Sequence, residues 1–198
     1  MTTRPDGTPP DRERTLTEQA RRRQLIDVTI GLVAERGYSQ TSLARIAEGA
    51  GLTKAAVLYH FPTKQALVQA AHGHVLDALT GDVAAAVESA PPADGPAVYV
   101  QAMVRHLHEH PRHTRMIIEA MPHADAQHRP EDRWGPLAQI IEAAAQARGT
   151  TNIDARTLAL IIGGAVDALV NERLHDPHYD VVNGAEQLAL IVEATLSV

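Results

Sequence analysis

Apolar residues recur every three to four positions along most of the chain, and no sustained alternation of apolar and polar residues interrupts them. Leu25, Val28 and Leu32 mark one face of a first helix, widened by Ile26, Ile30 and Val33, and Gly37 before Tyr38 supplies a stop. Thr41 or Ser42 then caps a short second helix, in which Leu43, Ile46, Ala47 and Ala50 follow the i, i+3, i+4, i+7 pattern. Gly51 ends it. Thr53 caps a third helix, which Phe61-Pro62 closes because a residue before proline disfavours the helical region. A fourth helix starts between Pro62 and Lys64 and carries Leu67, Ala70, Ala71, Val75 and Leu79.

The stretch Ala90 to Pro96, "APPADGP", is a break with turn chemistry. Helical periodicity resumes near 97–110 and 112–121, lapses in a polar loop from Pro122 to Pro136, and returns near 136–148 with Leu137, Ile140, Ile141 and Ala144 on one face. A strongly apolar segment near 153–173 is built around Leu158, Ile161, Ile162, Ala165, Leu169 and Val170. Asn183 with Glu186 three residues on predicts a capping-box start to the last helix. The expected fold is all-α, with about nine helices: three short ones, then a longer bundle. Residues 1–15 read as a flexible tail, 16–66 as one module and 67–198 as a second.

Helices two and three are joined by Ala50-Gly51-Leu52, a short glycine-containing turn of helix-turn-helix type. Its second helix carries the residues a major groove would require. Thr53 offers a hydroxyl, Lys54 can neutralise phosphate or read guanine acceptors, and Ala55 and Ala56 let the helix approach thymine methyl groups. Tyr59, His60 and Lys64 are placed to hold the phosphate backbone, while Leu52, Val57 and Phe61 turn inward. Spacing alone also allows a plain helical hairpin with solvated lysines.

Leu25 to Val68 resembles the N-terminal DNA-binding domain of the TetR family of bacterial transcriptional regulators. The matching landmarks are Gly37-Tyr38, Thr41-Ser42, Ile46-Ala47, Ala50-Gly51, His60-Phe61-Pro62, Lys64 and Leu67. The resemblance makes 16–66 the helix-turn-helix domain and 67–198 an effector-binding and dimerisation domain. It implies a homodimer on double-stranded, palindromic operator DNA, most often as a repressor released by a small-molecule effector, with no cofactor. Carried over by position, it assigns Thr41, Ser42 and Arg45 to phosphate contacts, with Arg45 within reach of a base. Thr53, Lys54, Ala55 and Ala56 become the base-reading surface, and Tyr59, His60 and Lys64 the backbone anchors. Three departures stand out: Leu58 where the family usually has tyrosine, Gly49 for a usual alanine, and Val33 for a common phenylalanine. Tyr59 accordingly takes the tyrosine's expected phosphate contact. Arg21, Arg22 and Arg23 either supplement phosphate binding or form a solvated basic turn.

Charge sharpens this division. Through Lys64 there are ten Lys and Arg against seven Asp and Glu, whereas the remainder carries eight against seventeen, so the overall −6 hides a basic head. With no cysteine, disulfides and thiolate metal sites are excluded. No apolar run reaches the roughly 20 residues a membrane-spanning helix requires, and no signal peptide is evident, so a cytoplasmic, nucleoid-associated protein is expected. The broad apolar surfaces near 153–173 and 184–197, with Gly163-Gly164 allowing close approach, suit either the central helices of a monomeric bundle or a dimer interface, and the family resemblance implies the dimer. Tyr99, Met103, His106, Met116, Met121 and Trp134 are candidates to line an effector pocket. Arg105 to His113 holds four histidines, and His106 and His110 sit at i, i+4, a spacing that can hold a metal. A metal-responsive regulator, or a metal-dependent enzyme, is therefore the alternative. With no HExxH, P-loop or GxSxG motif, neither a metal site nor an enzyme is expected.

Overall fold

The computed structural model describes residues 15–120 and 130–197. Among them are nine α-helices and no strand: α1 (Leu16–Gln40), α2 (Leu43–Gly49), α3 (Lys54–His60), α4 (Lys64–Glu88), α5 (Gly95–Glu109), α6 (Pro111–Ala120), α7 (Pro130–Arg148), α8 (Ala155–His175) and α9 (Val181–Leu196). A single 3-10 turn at Pro92–Asp94 joins α4 to α5. Side-chain caps set many of the starts. Thr15 and Glu18 form a capping box on α1, and Ser42, Thr53 and Thr63 each accept a backbone N–H at the head of α2, α3 and α4. The helix path of α1 is broken at Gly37, where φ is 79°.

Two boundaries differ from expectation. α7 begins at Pro130, so part of the anticipated loop is helical; residues 122–129 lie outside the described residues, as does most of the expected tail, residues 1–14. Asp180, not Asn183, caps α9: its carboxylate accepts the Asn183 N–H at 3.0 Å, and the helix takes in Val181 and Val182. The expected division between residues 66 and 67 lies within the fourth helix, as the sequence pattern places it.

α4 is the spine of the molecule. Its Leu67 completes a head core with Leu25, Ile46, Val57 and Phe61. From the next position on, Val68, Ala71 and Val75 join Ile30 and Val33 of α1 and Met116 of α6. Further along, Leu79 and Val83 pack with Ala102 of α5. The largest core lies beyond, where α5, α7, α8 and α9 bury Val100, Leu137, Ile141, Ile162 and Val192. Each buried leucine or isoleucine contributes about 1.5–3 kcal/mol, so α4 is fixed along its length to both ends of the protein.

Candidate nucleic-acid interface

The turn between α2 and α3 is built from backbone hydrogen bonds. The Gly51 N–H donates to the Glu48 carbonyl and the Leu52 N–H to the Ala47 carbonyl, with Gly51 at φ 64°, a region that glycine enters without steric cost. Gln24 of α1 clamps the same turn, its side-chain amide donating to the Ala50 carbonyl at 3.0 Å. Val57 and Phe61 are buried, which fixes the rotation of α3 about its own axis. The outward side then carries Thr53, Lys54 and Ala55, all exposed, with Ala56 half-buried. The Thr53 hydroxyl accepts the Ala56 N–H at 3.2 Å and keeps its own proton to donate.

Other expected contacts are placed differently. Ser42 is half-buried and caps α2, and Arg45 is exposed with its guanidinium donating to the Gln40 carbonyl. Thr41 is 2% exposed and its hydroxyl donates to the Gly37 carbonyl at 3.0 Å. Its side chain is therefore a cap for the end of α1, not a phosphate ligand. Tyr59 is 74% exposed, beyond the 40% of Leu58, and its hydroxyl donates to Glu18 at 3.0 Å. His60 is half-buried, edge-on to Tyr59. Lys64 Nζ donates to the Tyr38 carbonyl at 2.5 Å and sits 3.8 Å from the centre of the Tyr38 ring. Burial holds its pKa below the usual lysine value. As it stands, Lys64 is a rivet between α1 and α4 and not an outstretched anchor.

One contributor escapes sequence reading. Arg22 donates to the His60 carbonyl at 2.5 Å and lies 4.0 Å over the Phe61 ring, propping the C-terminal end of α3. Only its basic character is visible in the sequence. Arg21 donates to Gln24 instead.

Residues 25–71 match the family model described as bacterial regulatory proteins, tetR family. This head matches the DNA-binding domain of the TetR family. The chain is 35% identical over 74 residues to the HTH-type transcriptional repressor KstR2 of Rhodococcus jostii, a stretch covering 37% of this chain and 36% of that protein. It is 37% identical over 73 residues to the HTH-type transcriptional regulator BetI of Brucella canis, covering 37% of each. The matched region thus spans little more than a third of these curated relatives. A putative transcriptional regulator from Pseudomonas aeruginosa PAO1 shares the fold across 93% of both chains, with a TM-score of 0.73 and 21% identity. The family-model match covers residues 25–71, and across the length of the chain the likeness to the solved structure is one of fold.

In that second part, the expected pocket residues do not share one site. Tyr99, Met103 and Trp134 pack against the C-terminal core, with Arg156 4.9 Å from the Trp134 ring centre. Met116 belongs to the separate core between α1, α4 and α6, which corrects its placement in a pocket. Met121 lies outside the described residues. A cleft of about 260 Å³ opens instead between α5, α6 and α8, lined by Val104, Leu107, Arg115, Val170 and Arg173 among others. His106 is buried beside Asp82, their atoms 2.6 Å apart. Burial and the charges of His110, His106 and His74 hold the His113 pKa below the usual histidine value, against an opposing pull from Asp27. No helix among the described residues is long and apolar enough to cross a membrane.

Proposed function

We propose that the protein is a sequence-specific, DNA-binding transcriptional regulator, acting as a homodimer on a palindromic operator in the cytoplasm and released by a small-molecule effector. The observation that carries this reading is the outward face of α3: Thr53, Lys54 and Ala55 exposed together on a helix whose rotation is fixed by buried Val57 and Phe61. The curated relatives are named as transcriptional regulators, and one of them as a repressor.

The C-terminal helices support the dimer. Leu160 and Ile161 of α8 and Leu190 and Ile191 of α9 are 51%, 61%, 57% and 63% exposed, a shared apolar surface on a single protomer. A Cβ on Gly164, exposed on the same helix, would meet nothing within 4 Å, so a partner helix has room to approach. Joining two copies there by a two-fold axis would pair two heads for two half-sites. An effector that binds one spacing of the heads better than another shifts the equilibrium off DNA by its difference in affinity.

The test is selection of full-length protein against a random duplex pool, with sequencing of the retained DNA. The reading predicts a palindrome with half-sites about 10 base pairs apart or slightly more. Retention without sequence enrichment, by protein shown to be folded and dimeric, would contradict it.

A further inference from the structure

Three imidazoles converge where the end of α5 meets the start of α6, beside Asp82 of α4. His106 lies on α5, His110 is the residue between the two helices, and His113 is in the first turn of α6. Ring centres are 4.5 Å apart for His106 and His110, 5.0 Å for His110 and His113, and 5.6 Å for His106 and His113. Ligand-type atoms of Asp82, His106 and His110 all lie within 4.8 Å of one another.

The hydrogen-bond pattern orients this cluster. His106 is 3% exposed, and its Nδ1 lies 2.6 Å from Asp82 Oδ2, so the carboxylate accepts a proton held on Nδ1. In the neutral ring that leaves Nε2 as a lone pair, and it faces His113 Nδ1 at 3.4 Å. That separation is long for an N–H···N hydrogen bond, for which about 2.7–3.2 Å is usual. It matches the edge of a tetrahedral shell, about 3.3–3.4 Å for two nitrogens each roughly 2.0–2.1 Å from the metal. A carboxylate on the far nitrogen of a buried histidine is also the partner that fixes a ligating ring.

We propose that His106 Nε2, His113 Nδ1 and His110 bind one divalent first-row transition-metal ion, with Asp82 orienting His106. Nitrogen ligands without thiolate suit Zn²⁺, Co²⁺, Ni²⁺ or Cu²⁺ over Ca²⁺ or Mg²⁺. The exposed His110 ring turns to supply the third nitrogen, and water completes the shell. An ion held here ties the end of α5 to the start of α6. From α6, Glu119 accepts the Tyr38 N–H at 3.0 Å and Arg115 donates to the Ala34 carbonyl at 3.5 Å, so the site lies on a helix that touches the head. The proposal does not depend on the DNA-binding reading.

The experiment is a titration of the full chain, free of any histidine tag and stripped with chelator, with Co²⁺ followed by Zn²⁺. One equivalent is expected, with a tetrahedral visible Co²⁺ spectrum that Zn²⁺ abolishes. His113→Gln and His110→Gln should each weaken binding at least about tenfold, and Asp82→Asn about 10- to 100-fold, with unchanged helical circular dichroism. His175→Gln and His178→Gln, exposed at the end of α8 and just beyond it, should leave it unchanged. Absence of stoichiometric binding, or binding equally strong in both cluster variants, would overturn the proposal.

Discussion

Lys64 and Lys54 are both basic residues of the head, yet their surroundings give them different work. Lys54 is exposed, whereas the Lys64 ammonium is engaged by the Tyr38 carbonyl and ring. Lys64→Ala should therefore lower the melting temperature of the head and weaken DNA binding alike on every sequence, the loss tracking stability in a thermal melt. Gly49 is a second residue whose meaning comes from its neighbour. In sequence it is a helix glycine costing about 1 kcal/mol against alanine. In the structure a Cβ there would lie 2.9 Å from Val28 Cγ1, a contact that a short branched side chain cannot easily relieve. Overpacking of this kind costs about 1–3 kcal/mol, so Gly49→Ala should give no net stabilisation in chemical denaturation and about 1 kcal/mol of loss. The double variant with Val28→Ala, by removing the clash, should be less harmed by the added methyl than wild type is. These residues show what sequence reading leaves out. Both depend on a partner more than twenty positions away, and charge or propensity at one position carries no record of it.

Elements were more legible than contacts, because caps and apolar periodicity are local. Ser42, Thr53 and the Phe61-Pro62 step bound the helix-turn-helix where the pattern places them. The start of α9 is ambiguous in the sequence, because Asn183 stands where either a cap or the recipient of the Asp180 cap could, and Val181-Val182 between them reads equally well as extended chain. The histidine cluster was half visible: His106 and His110 share a helical spacing, but Asp82 and His113 join them only through the packing of α4, α5 and α6. The apolar face of α8 and α9 makes its own prediction. Ile161→Glu with Ile191→Glu should convert a dimer to a monomer in light scattering while leaving helicity intact, because both side chains are more than half exposed in a single protomer. At the head of α8, Asp154 accepts from the Thr157 backbone and hydroxyl, and those hydrogen bonds, the side-chain one foremost, hold its pKa below the usual carboxylate value. A carboxyl depressed in the folded state stabilises above its unfolded pKa, and that contribution is lost as pH falls through the folded value. Asp154→Asn keeps a capping oxygen without this titration. Its stability relative to wild type should rise as the solution is acidified below pH about 4.

Across the whole molecule, the head that carries α3 and the C-terminal half share one continuous spine. α4 starts at Lys64, contributes Leu67 to the head core, and packs Leu79 and Val83 against α5 before it ends at Glu88. α6 makes a second bridge through Glu119 and Arg115 to α1. The two halves are therefore joined by packed helices and not by a linker. α3 moves with the head because Arg22, Gln24, Val57 and Phe61 hold it to α1 and the core. The proposed function requires α3 to read base sequence. The most direct measurement repeats the duplex selection with wild type and Lys54→Ala side by side, at matched stability and salt. If Lys54 contacts a base, the variant should lose about 1–3 kcal/mol on the selected site and relax its preference at one position in each half-site. Unchanged affinity and unchanged preference would contradict the account.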